Sequence, residues 1–98
     1  MNNRKRSSDP NSELYRAVLK LRTPEECYAF FVDLCTQTEL RAIEQRYEVA
    51  RMLAEGMNYN EILSLTGASS ATVSRVNRTL MNGTDAYHMV FDRMQGEE

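Results

Sequence analysis

Apolar positions recur every three or four residues along most of this chain, and no segment alternates apolar and polar residues between hairpin turns. From Glu13 the residues Leu14, Val18 and Leu21 share one helical face. The stretch ECYAFFVDLC that follows is apolar on nearly every side and predicts a helix over 25–35. A helix of that kind is buried all round. A chain of 98 residues has little interior to offer it, so a partner chain is expected to cover part of it. The longest helix is predicted to run to about Glu55, with Leu40, Ile43, Tyr47, Ala50 and Leu53 in one stripe that Val49 and Met52 widen. Three shorter helices follow. One carries Ile62, Leu63 and Leu65; one, over 70–80, carries Val73, Val76 and Leu80; the last carries Tyr87, Val90, Phe91 and Met94. The chain therefore reads as all-α, six helices with short links and no internal repeat.

Start and stop residues sharpen these bounds. Thr23-Pro24-Glu25-Glu26 spells a helix start, with Thr as N-cap, Pro at the first helical position and Glu at the third. Thr36-Gln37-Thr38-Glu39 repeats the capping pattern ahead of the long helix, which Gly56 closes. Asn58-Tyr59-Asn60-Glu61 is a third start, for a helix over 58–66 that stops at Gly67. Either Ser69 or Ser70 caps the helix over 70–80, and Gly83-Thr84 precedes the final one.

Composition is that of an ordinary globular domain, 42% hydrophobic and 27% charged. No apolar run approaches the roughly 20 residues of a membrane span, and the N-terminus lacks a signal-peptide core, so a cytoplasmic protein is expected. Residues 1–12 read as a disordered arm whose Arg4-Lys5-Arg6 is a solvated tail, ahead of one domain over 13–95. Cys27 and Cys35 lie on one helix, about 12 Å apart at the rise of an α-helix, too far to bridge. They are expected to be reduced and buried. His88 has no second ligand at useful spacing, so no metal site is expected.

Net charge is −2, yet from Ile62 to Thr84 there is no Asp or Glu, and Arg75 and Arg78 are the only charges. Two short helices joined by a glycine-bearing turn are what a helix-turn-helix needs, here over 58–80. In such a motif one face of the second helix packs on the first while the other enters the major groove. Val73, Val76 and Leu80 fall together on this helix, with Asn77 beside them, and Ala71, Ser74, Arg75 and Arg78 fall opposite. Small residues let a helix approach base edges, hydroxyls donate to phosphate or base, and arginine grips either. Ordinary surface helices mix acids with bases and use better helix formers than Ser and Thr. The candidate DNA contacts are Asn60, Ser69, Ser70, Ala71, Thr72, Ser74, Arg75 and Arg78.

Residues 34–80, LCTQTELRAIEQRYEVARMLAEGMNYNEILSLTGASSATVSRVNRTL, resemble the Trp repressor superfamily, closest to the small Trp-repressor-related proteins of Gram-positive bacteria. The likeness extends through EECYAFFVDLC and DAYHMVFDRM, about residues 12–94. It implies an all-helical, intertwined homodimer that binds double-stranded DNA, with helix 58–66 supporting and helix 70–80 reading. Half-sites would lie one helical turn, about 34 Å, apart. It also implies a ligand pocket of Thr36, Arg46, Arg75, Val76 and Thr79, in which two arginines sandwich an indole. Tryptophan-binding members carry glycine at the position of Val76. A valine fills the space that the indole needs, so tryptophan is not expected as corepressor, and whether another small molecule acts as effector stays open.

The expected function is therefore a sequence-specific, dimeric DNA-binding regulator, a repressor. A sigma-like or resolvase-like recognition module is the nearest variant. From a different class, a helical dimer could use the same face to bind a protein. No enzyme is expected: His88 is solitary, both cysteines sit on an apolar helix, and Glu25 and Glu26 are explained as helix-start residues.

Overall fold

The computed structural model describes residues 9–96. The chain divides into two compact units, one through Gln37 and one from Thr38. Six helices and no strand occur among the described residues: α1 (Glu13–Val18), α2 (Pro24–Leu34), α3 (Gln37–Ala54), α4 (Tyr59–Thr66), α5 (Ser70–Asn82) and α6 (Ala86–Gln95). None is long and apolar enough to cross a membrane.

In the N-terminal unit the arm expected over 1–12 lies outside the described residues as far as position 8. Asp9 then opens a turn, accepting from Asn11 N at 2.9 Å through its carboxylate and from Ser12 N at 2.9 Å through its carbonyl. Helix α1 ends at Val18, short of the expected Leu21, because Lys20 N and Leu21 N bond back only three residues, to Ala17 and Val18. Such bonds tighten the chain beyond the α-helical pitch and end the α-helix there. Thr23 caps α2 as its sequence requires, its hydroxyl accepting from Glu26 N at 3.1 Å. The Glu26 carboxylate reaches one residue further back than a capping box, to Arg22 N at 2.8 Å. No residue of α2 is buried within the single chain. Tyr28 is 63% exposed, Leu34 51% and Val32 44%. The apolar circumference is present and the interior for it is not. Cys27 and Cys35 are free and half-buried rather than buried.

In the C-terminal unit the core is Val49 and Ala50 of α3, Ile62 of α4, Ala68 of the following turn, and Val73 and Val76 of α5. Met52, Leu53, Met57, Leu63, Tyr87 and Phe91 pack around it. The stripe foreseen on α3 is buried only in its C-terminal half; Ile43 stays 43% exposed. Helix α3 ends in a Schellman motif: Gly56 is left-handed at φ +89°, Gly56 N bonds Leu53 O at 3.0 Å, and Met57 N bonds Met52 O at 3.1 Å. Helix α6 is held by aromatic contact. Phe91 meets Tyr47 of α3 edge-on at 5.6 Å and stacks on Tyr87 at 5.9 Å.

Candidate nucleic-acid interface

Helix α4 starts with both halves of a capping box. Asn58 Oδ1 accepts from Glu61 N at 2.9 Å, and Glu61 Oε1 accepts from Asn58 N at 3.3 Å. It stops at Gly67, which sits at φ +71°, a left-handed conformation that a β-carbon resists. Ala68 then turns inward and is buried, which directs the chain into α5. Ser69, not Ser70, is the cap of α5: its Oγ accepts from Thr72 N at 3.1 Å and donates to Thr72 Oγ1 at 3.1 Å.

Helix α5 has two sharply different sides. Val73, Val76 and Leu80 are 0%, 3% and 7% exposed. Ser70, Ala71, Ser74, Arg75 and Arg78 are all exposed and fall within about 140° of arc on the other side. Asn77 is half-buried at the border. Of the predicted contacts, Asn60 is exposed in the first turn of α4, while Ser69 and the half-buried Thr72 spend their hydroxyls on the cap. The helix also runs to Asn82, two residues beyond the expected end, since Gly83 N still closes on Thr79 O at 2.8 Å. That adds Met81, 72% exposed, to the outward side, a position that the shorter helix reading missed.

The charges differ as sharply. Arg51 of α3 is held between Glu48 at 2.7 Å and Glu55 at 2.8 Å. Its hydrogen bond to Glu48, and then that to Glu55, push the guanidinium pKa up. Among the described residues neither Arg75 nor Arg78 forms an ion pair, and no acid stands in the first turn of α5. The exposed side thus combines a helix N-terminus, which favours anions, with two uncompensated cations.

Of the five residues of the implied ligand pocket, Arg46, Arg75, Val76 and Thr79 lie in this unit. Val76 points into the core beside Ile62. Arg46 Nε donates to Ala42 O of its own helix at 3.3 Å, and Thr79 Oγ1 donates to Arg75 O at 3.3 Å. Thr36 lies in the N-terminal unit. A cavity of about 310 Å³ does exist nearby, lined by Tyr47, Thr79, Leu80 and residues 84–87 and 90, and it includes only Thr79 of the five. Two residues that the sequence reading passed over also shape the interface. Gln45 of α3 donates to Thr66 O at 3.2 Å, and Thr66 Oγ1 bridges Ile62 O at 2.7 Å and Ala68 N at 3.1 Å. A threonine one residue before a helix-ending glycine is a local hint of the second role; nothing local marks the first.

The architecture has close counterparts. A Trp repressor candidate from Staphylococcus aureus superposes with a TM-score of 0.82 at 50% identity, covering 87% of this chain and 85% of its own. A TrpR-like protein from Eubacterium eligens gives 0.81 at 48% identity, over 87% and 88%. The uncharacterised protein YerC of Bacillus subtilis is 52% identical over 86 residues, 88% of this chain and 83% of YerC. The family model for the Trp repressor protein matches residues 11–95. With that match spanning nearly all of the described residues, the chain belongs to the Trp repressor family.

Proposed function

We propose that this protein is a sequence-specific DNA-binding transcriptional regulator, a repressor, that works as an intertwined homodimer and without tryptophan. One observation carries the reading: α5 buries Val73, Val76 and Leu80 while it exposes a small, acid-free, cationic side. Its placement after a capped supporting helix and a left-handed glycine is the helix-turn-helix arrangement, and membership of the Trp repressor family supports the same use. Ser70, Ala71 and Ser74 lie near the helix start, where base edges are reached, and Arg75 and Arg78 are placed for phosphate or guanine. The exposed apolar residues of α2 support a second copy as partner, in line with the small core of one chain. The burial of Val76 supports a DNA-binding head that is held together by its own side chains. Such a protein acts by occupying its operator and is not an enzyme.

Selection of bound duplexes from a random DNA pool tests this directly. Recovery of a two-fold-related motif with half-sites about one turn apart is the expected result. Its affinity should fall steeply with salt, as phosphate contacts release counterions. If no sequence is enriched and binding is indifferent to salt, the face serves a protein partner instead.

A further inference from the structure

A helix that ends leaves its last carbonyl groups without donors from its own backbone. At the end of α4, Gly67 N closes on Leu63 O at 3.0 Å, and Ala68 N then turns to the Thr66 hydroxyl at 3.1 Å. That hydroxyl is itself committed as a donor to Ile62 O at 2.7 Å. The Thr66 carbonyl is met from another helix, by the side-chain amide of Gln45 at 3.2 Å, across 21 positions of sequence and in a part-buried setting. Among the described residues, the other groups that bring α3 together with α4 and α5 in one cluster are apolar: Val49, Ala50, Met52 and Leu53 with Ile62, Val73 and Val76. Apolar contact is non-directional and tolerates small rotations; a hydrogen bond is constrained in both length and angle.

We infer that Gln45 is a positioning residue, whose amide, by donating to the Thr66 carbonyl, fixes the direction in which α5 is held on α3. The identity of the residue fits this role. Its neighbours Arg41, Glu44 and Glu48 on α3 are charged and exposed, and position 45 is a half-buried neutral amide. A carboxylate there has no proton to donate and would face the negative end of α4. Because the bond lands on the last residue of α4, where the chain turns toward α5, a small rotation there becomes a displacement of Ser70, Ala71 and Ser74 together. The consequence for sequence discrimination rests on the DNA-binding reading; the positioning of α5 does not.

Both can be measured on the full chain with Gln45→Met, which keeps length and loses the donor, Gln45→Glu, which keeps shape and loses the donor, and Gln45→Lys, which keeps a donor. The first readout is the ratio of affinities for a selected and a scrambled duplex at fixed salt. Loss of one part-buried hydrogen bond should lower that ratio about fivefold in the Met and Glu variants, while the Lys variant stays near wild type. A side chain that merely added stability would leave the ratio unchanged. The second readout, without DNA, is the orientation of α5 relative to α3 from residual dipolar couplings, which should change in the Met variant. Unaltered couplings and an unaltered ratio in a folded Met variant overturn the inference, whatever the Glu variant does. If the wild-type protein does not distinguish duplexes, the DNA-binding reading falls, and the couplings alone decide the role of Gln45.

Discussion

Replacing Val76 by glycine separates the two roles that this position can have in a reading head. The side chain is 3% exposed and packs beside Ile62 and Val73, so the substitution strips an isopropyl group from the seam between α4 and α5. Three buried carbons at about 0.8 kcal/mol each give about 2.5 kcal/mol. The residual cavity and the lower helix propensity of glycine add about 0.5 kcal/mol. A loss of about 3 kcal/mol is therefore expected in urea unfolding, followed by circular dichroism at one protein concentration, since association shifts apparent stability. The same two proteins are then titrated with L-tryptophan in a calorimeter. The wild type should give no saturable heat at millimolar ligand, because a β-branched side chain stiff at χ1 fills the seam. The glycine variant should bind. A stability loss below about 1 kcal/mol would mean that the seam closes without Val76. Saturable binding by the wild type would refute the steric exclusion altogether.

Arg78→Ala should weaken binding to every duplex alike and reduce the slope of log affinity against log salt by about 1, as one lost phosphate contact does. Ser74→Ala should instead change the preferred base at one position of the half-site, with about 1–3 kcal/mol of discrimination lost, read by titration against single-base variants of the selected duplex. Asn58→Ala removes an acceptor from Glu61 N and should destabilise the C-terminal unit by about 1 kcal/mol in the same urea assay. Sedimentation at micromolar concentration should give about twice the 11.3 kDa chain mass, and a compact folded monomer over the whole dilution range would exclude the intertwined dimer.

What the sequence disclosed depended on how far apart the interacting groups lie. Helix ends governed by neighbours three or four residues away were legible: Thr23 with Glu26, Asn58 with Glu61, and the glycines at 56 and 67. The choice between Ser69 and Ser70 was not, because either hydroxyl sits at a plausible start and the decision falls to the burial of Ala68 just before them. The buried side of α5 followed from the spacing of Val73, Val76 and Leu80, but the two extra residues of that helix did not. A serviceable stop signal lies at Gly83, and a stripe that ends at Leu80 says nothing about polar turns beyond it. Helix α2 shows a limit of another sort. Its pattern states a demand for burial, and one chain leaves Tyr28 and Leu34 exposed, so the group that answers the demand is not written in the same stretch of residues. The Gln45–Thr66 bond spans 21 positions and leaves no periodicity at all.

The division of labour on α5 also bears on how such proteins diversify. The residues that keep the helix in place, Val73, Val76 and Leu80, and the cap that starts it, Ser69 with Thr72, are different residues from those on the outward side. Ser70, Ala71 and Ser74 are exposed and take no part in the Ser69–Thr72 cap, and exchanges at such surface positions are nearly neutral for folding. A duplicated gene can therefore accumulate changes at these positions while its product still folds. If the outward side reads DNA as proposed, specificity is free to drift along a path that stability does not police, and two copies that began with one target can part company one outward residue at a time.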